Sequence, residues 1–202
     1  NVSDEVKSKY GTPLIQQFIP HGGACGTEML FSNEGLAASF SHYRIREYPS
    51  SGGPSTFRRP IKSKLLDTIS ERILEEVGWY GPAMVEFRID SRTNLPMLME
   101  VNGRYWGSLD CSIQAGIDFP KYHFKISNNQ EVSISDYKLD VMSRWEIGDI
   151  LWLFSNDKGF FNTLPQFLRG IGSNKFDYLK QQQLAFLFFH QSNLPIYWQL
   201  AT

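Results

Sequence analysis

The stretch from Pro82 to Asn102 constrains the fold more than any other part of the chain. It holds two runs, Pro82–Asp90 and Leu95–Asn102, joined by Ser91-Arg92-Thr93-Asn94. Two such runs around a short polar turn predict an antiparallel hairpin. With the turn centred on residues 92–94, Asp90 stands against Pro96, Arg88 against Leu98 and Glu86 against Glu100. Side chains alternate faces along a strand, so Met84, Glu86 and Arg88 share one face, with Val85, Phe87 and Ile89 on the other. On the second strand Leu98, Glu100 and Asn102 join the polar face, with Met97, Met99 and Val101 behind. Two carboxylates then face each other directly, which destabilises a sheet. At about 4–5 Å and an effective dielectric near about 20, the repulsion is on the order of several kcal/mol. Two readings offset it. A divalent cation held by Glu86, Glu100 and the Asn102 amide oxygen uses the hard ligands that Mg²⁺ takes beside phosphates. Alternatively, the acids lie on a solvated sheet face, with Arg88 or Arg104 neutralising one of them and Asn102-Gly103 only ending the strand. The spacing leaves both open.

Elsewhere the chain alternates between strand-like and helical patterns. Residues 14–19 predict a short strand stopped by Pro20, His21–Gly26 a Gly-rich loop, and 27–33 and 36–43 two strands around the Asn33-Glu34-Gly35 turn. The Ser, Gly and Pro of 49–60 predict an exposed mobile loop, in which Arg58 and Arg59 either clamp a substrate carboxylate or do nothing. Leu65, Leu66, Ile69, Ile73, Leu74 and Val77 have helical spacing across 61–77, ended by Gly78. Residues 108–115 predict a helix ended by Gly116, 137–145 a strand, and 146–155, 163–170 and 176–190 helices. The aromatic stripe of Trp145, Trp152, Phe154, Phe160 and Phe161 reads as core. The pattern is α+β: an antiparallel sheet flanked by helices over 1–125, and a mostly helical, aromatic-rich region over 126–202 packed on it.

Composition sets limits on partners. Among 202 residues, 20 basic side chains balance 21 acidic ones, which provides no charge footprint for nucleic acid or an anionic membrane surface. The apolar run Leu184–Phe189 is far shorter than the ~20 residues that span a bilayer. No secretory signal pattern opens the chain, and Cys25 and Cys111 form neither a disulfide framework nor zinc-ligand spacing, so a reducing, cytoplasmic setting is expected. The histidines 21, 42, 123 and 190 show no metal-ligand spacing and read as structural.

The Glu86 strand followed by Glu100-x-Asn102-x-Arg104 resembles the ATP-grasp superfamily, in the branch of carboxylate–amine ligases and carbamoyl-phosphate-synthase-like proteins. The resemblance covers roughly residues 14–120. It implies Mg²⁺, with Mn²⁺ as a substitute, on Glu86, Glu100 and Asn102, bridging the phosphates of ATP. It implies Arg104, and Arg44 of the basic strand Arg44-Ile45-Arg46, on the reacting anionic oxygens. Gln16-Gln17-Phe18-Ile19-Pro20 is similar to the family's hinge, whose backbone holds the adenine edge, and Glu28 to an acidic position of the cofactor site. Trp106-Gly107-Ser108 and Ala115–Pro120 are similar to the segment that closes the domain. The implied activity is an ATP-dependent ligase acting through an acyl phosphate on a small carboxylate and a small amine. The family's lysine-bearing N-terminal lobe has no counterpart in the residues before Gln16, so a C-terminal portion of a longer enzyme, inactive alone, is expected. A non-catalytic nucleotide-sensing or scaffold domain is the competing expectation. Oligomeric state is open.

Overall fold

The computed structural model describes residues 2–12, 16–50, 52–134, 136–155 and 159–169. Its frame is one antiparallel sheet in the order β5-β4-β1-β2-β3-β6. The strands are β1 His21–Ser32, β2 Gly35–Glu47, β3 Ser55–Ile61, β4 Gly81–Asp90, β5 Pro96–Asn102 and β6 Ser143–Arg144. The helices are α1 Val2–Tyr10, α2 Lys64–Glu76, α3 Leu109–Ala115, α4 Phe119–Ser127, α5 Glu146–Ser155 and α6 Phe160–Arg169.

Alternation in the long central strands builds a separate core on each face. Met29, Phe31, Val85 and Phe87 pack with Leu66 and Leu74 of α2. Leu30, Phe40 and Met84 pack with Trp106, Cys111, Ile117 and Phe119 around α3 and α4. The Ser63 hydroxyl caps α2 by accepting from the Leu66 N–H, and Gly78 follows the helix at φ 60°. Of the apolar positions expected on α2, Leu66 and Leu74 are buried, whereas Leu65 and Val77 face solvent.

Several sequence expectations are revised. β1 begins at His21 because the glycines of the expected loop are strand residues. A Cβ on Gly22 would meet the Ile89 carbonyl and the Ser91 backbone at 2.9 Å, so only glycine lets the two chains approach there. Of the expected 14–19 strand, 13–15 lie outside the described residues, and 16–20 pair with no strand and form no regular structure. The expected 49–60 loop contains β3, held between β2 and β6, so turn-like composition yields to long-range pairing. Only Ser143–Arg144 of the expected 137–145 strand pairs. The α4 helix runs through residues 125 and 126, with Asp118 as its N-cap. Within the aromatic stripe Trp152 is core, but Phe154 and Phe161 are exposed. The 176–190 helix lies outside the described residues. Among the described residues no helix is long and apolar enough to cross a membrane.

Candidate active site

Glu86 sits on β4, inside the sheet, and Glu100 on β5, at its edge, and the two are register partners. One step along, Asn102 opposes Met84 and its amide nitrogen donates to Glu100 Oε1 at 2.8 Å and to Glu86 Oε1 at 3.3 Å. Past this point the expected pairing fails. A bulge between Glu86 and Phe87 places Leu98 opposite Phe87, Met97 opposite Arg88 and Pro96 opposite Ile89. One unpaired residue flips every later side chain to the other face, which removes Leu98 from the acidic side. Met99 and Val101 are exposed, not covered, because β5 is an edge strand.

The cation that bonds Glu86 is Arg44. Its Nη2 donates to Glu86 Oε2, and its Nη1 donates to Glu47 Oε1 at 3.2 Å and the Gly53 carbonyl at 3.4 Å. Burial pushes the Glu86 carboxyl above its usual range, Arg44 pulls it back, and Glu100 adds to the rise. Burial lowers the Arg44 guanidinium, but Glu86 and Glu47 together more than offset it and raise it above its ordinary value. Glu47 Oε2 is 3.1 Å from His21 Nε2, while His21 Nδ1 accepts from the Gly23 N–H at 2.9 Å. That second bond fixes the ring: Nδ1 accepts, and Nε2 carries the hydrogen toward Glu47.

The other expected site residues have their own settings. Arg104 is exposed in the turn after β5, where its Nη1 donates to the Tyr105 carbonyl at 3.1 Å. Gln16, Gln17, Phe18 and Ile19 precede β1 as an irregular, largely exposed segment. Glu28 is fully buried and accepts from the Ser108 hydroxyl at 2.9 Å. Arg58 is buried inside β3 with its guanidinium on Asp110, and Arg59 is exposed with its guanidinium 5.8 Å from the Tyr43 ring centre. Cys25 and Cys111 are packing residues, and burial pushes the Cys25 thiol up to about 11. Sequence reasoning missed Glu47 and His21. Alternation places Arg44 and Glu47 on opposite faces, and only register shifts on both sides of Arg46 let them meet.

A cleft of about 810 Å³ opens beside Arg44. Its lining includes His21, Glu47, Arg46, Arg59, Tyr43 and Trp152, a mixed basic and aromatic wall of ligand-site size. The acids fit a divalent cation. Two carboxylate oxygens and an amide converge, one acid is desolvated, and the repulsion between the two raises Glu86 in the absence of further positive charge. Among the described residues no group of three or more His, Cys, Asp or Glu side chains is placed to hold a metal, and the Asn102 amide, whose nitrogen faces both acids, would have to turn its oxygen inward to serve as a third ligand.

Glu28 and His42 form a second buried pair on the same sheet face. His42 Nδ1 lies 3.1 Å from Glu28 Oε1, and a Cβ on Gly26 would meet the imidazole at 2.6 Å, so glycine makes room for the ring. Burial raises the Glu28 carboxyl well above its usual range, whereas burial, then Arg44 and Arg58, lower His42 well below its own. Folded Glu28 therefore keeps a proton that the unfolded chain has released, so its contribution to stability falls as pH rises above the ordinary glutamate range. His42 acts oppositely: below its ordinary range the unfolded chain takes a proton that the folded chain refuses, and stability falls as pH falls. Glu28→Gln is expected to raise the melting temperature relative to wild type by an amount that grows from about pH 5 to about pH 8.5. Thermal unfolding followed across that range checks it, and a constant difference would contradict the assignment.

The open antiparallel sheet with its flanking helices is consistent with the ATP-grasp fold. Residues 50–146 match the profile described as ATP-grasp in the biosynthetic pathway with Ter operon. No curated protein matches the chain in sequence. Among solved structures it is similar to the biotin carboxylase domain of a thermophilic 2-oxoglutarate carboxylase bound to bicarbonate, at 13% identity and TM-score 0.56, covering 69% of this chain and 34% of that one. The same domain bound to ADP without magnesium matches at 12% identity and TM-score 0.50, over 69% and 33% of the two chains. The phosphoribosylaminoimidazole carboxylase ATPase subunit from Aquifex aeolicus matches at 15% identity and TM-score 0.51, over 62% and 38%. These likenesses are of fold, and the chain spans from 14% to 38% of the length of such structures.

Proposed function

We propose that this chain carries the metal- and nucleotide-binding lobe of an ATP-dependent carboxylate–amine ligase. The observation that carries the reading is the register pair Glu86–Glu100, bridged by Asn102, with Glu86 held by Arg44, which lines a basic cleft. In this reading a carboxylate oxygen of the acceptor attacks the γ-phosphorus of ATP, the bond to ADP breaks, and an amine then displaces phosphate from the acyl phosphate. Glu86, Glu100 and Asn102 would hold Mg²⁺ or Mn²⁺, which supplies neutralisation of phosphate charge when bound. Arg44, released onto the cleft side, and Arg104 stabilise the anionic oxygens. The backbone of Gln16–Ile19 holds the adenine edge, with Glu28 supporting the nearby sheet from within. The lobe spans 1–125, and a lysine-bearing lobe of the same protein completes the phosphate site. The ADP complex of the similar carboxylase domain supports the nucleotide assignment.

The test is Mg-ATP binding by calorimetry and ADP release with candidate carboxylates and amines, in the whole natural protein. Glu100→Gln, which keeps shape and removes charge, is expected to cut turnover about 100-fold or more, the scale of one preorganised electrostatic contact. Undiminished turnover in that variant would remove the metal assignment.

A further inference from the structure

We propose that Glu47 is a positioning residue that receives the Arg44 guanidinium when a divalent cation takes Glu86. The inference rests on the metal reading above. Arg44 bridges two carboxylates, Glu86 and Glu47, with one guanidinium. Glu100 sets a third carboxylate opposite Glu86. Arg44 sits on Glu86 Oε2, the acid that a divalent cation requires, so metal and guanidinium compete for one carboxylate.

The second seat for Arg44 is already built. Its Nη1 holds Glu47 Oε1 and reaches the Gly53 carbonyl, and its buried Nε has no hydrogen-bond partner. Glu47 cannot turn away, because its other oxygen faces His21 Nε2 and Gly23 locks the imidazole. All three side chains of the exchange are about nine-tenths buried, which keeps their coupling unscreened. Loading the acid pair therefore shifts Arg44 from Glu86 toward Glu47, at the wall of the cleft that both line. Metal occupancy and an anion-ready Arg44 become one event.

A double-mutant cycle read by Mn²⁺ alone tests this, with Mn²⁺ affinity of the full chain followed by electron paramagnetic resonance. Arg44→Met is expected to tighten Mn²⁺ binding, since it removes the competing cation. Glu47→Gln is expected to weaken binding about tenfold in the wild-type background, the scale of an ordinary coupling between sites. In the Arg44→Met background the same change is expected to cost less than about twofold, because neighbours that act through one another are not additive. Glu47→Asp restores most of the affinity. Equal losses in both backgrounds would overturn the role of Glu47 and leave the metal reading standing. A wild-type chain that binds no Mn²⁺ would overturn both. Circular dichroism and melting of each variant separate loss of fold from loss of coupling, and tighter binding by a folded Arg44→Met is a result that no structural defect produces.

Discussion

Replacing Asp149 by alanine is expected to cost about 3–5 kcal/mol of folding stability, the largest single-residue loss outside the apolar cores. Asp149 is fully buried on α5 and serves two buried arginines from separate strands. Arg46 Nε and Nη2 donate to its two oxygens at 2.6 Å each, Arg144 Nε donates at 2.5 Å, and the Thr56 hydroxyl donates at 3.1 Å. Without the carboxylate, two guanidinium groups stay in the interior with no counter-charge. Their remaining partners are uncharged: Arg46 donates to the Gln166 carbonyl at 3.0 Å and lies 4.2 Å from the Phe57 ring centre and 4.9 Å from that of Trp152, and Arg144 donates to the Phe167 carbonyl at 3.3 Å and lies 4.2 Å from the Phe167 ring centre. Cation–π contacts of about 0.5–2 kcal/mol do not replace a buried ion pair. Urea unfolding of Asp149→Ala measures the loss. Adding Arg144→Leu is expected to recover part of it, since the damage is the stranded charge and not the missing carboxylate.

A comparable loss is expected for Phe40→Ala, on the face of the sheet that bears the site. Phe40 is fully buried on β2, and its ring centre lies 4.8 Å from that of Tyr137. It joins Leu30 and Met84 of the sheet to Trp106 and Phe119 beneath the helices. Truncation removes the ring from water-free surroundings and leaves a cavity that a sheet backbone cannot collapse into, at a cost of about 3–5 kcal/mol. Tyr137 should loosen with it, held then by its hydroxyl on the Ile61 carbonyl at 2.6 Å and by the Lys62 ammonium 3.3 Å from its ring centre. Chemical denaturation gives the stability change, and a loss below about 1 kcal/mol would mean that the site repacks.

The reach of sequence reasoning here follows the range of the interactions. The Glu86–Glu100 pairing was legible because a short turn and strict alternation determine register locally. The same logic failed two residues away, where an unpaired Met99 shifts the frame and no composition signal marks the bulge. The α2 helix was legible from its period, but which apolar residues it buries depends on where the sheet ends beneath it. Arg46, Asp149 and Arg144 were illegible as a unit because Arg46 and Asp149 are 103 positions apart in sequence. Glu47 escaped notice for a different reason: two irregularities in a single strand pair bring it to Arg44 against the alternation.

The placement of β5 at the sheet edge has a kinetic consequence. One acid of the pair lies on a strand bonded on both sides, the other on a strand bonded on one side only. Outer strands fray at far lower free energy than the central ones they border. Backbone amides of 97–102 should therefore exchange with solvent deuterium much sooner than those of Ala83–Phe87, and each opening carries Glu100 and Asn102 away from Glu86. A cation held across both strands, as the metal reading proposes, would close that opening and keep the outermost strand from peeling.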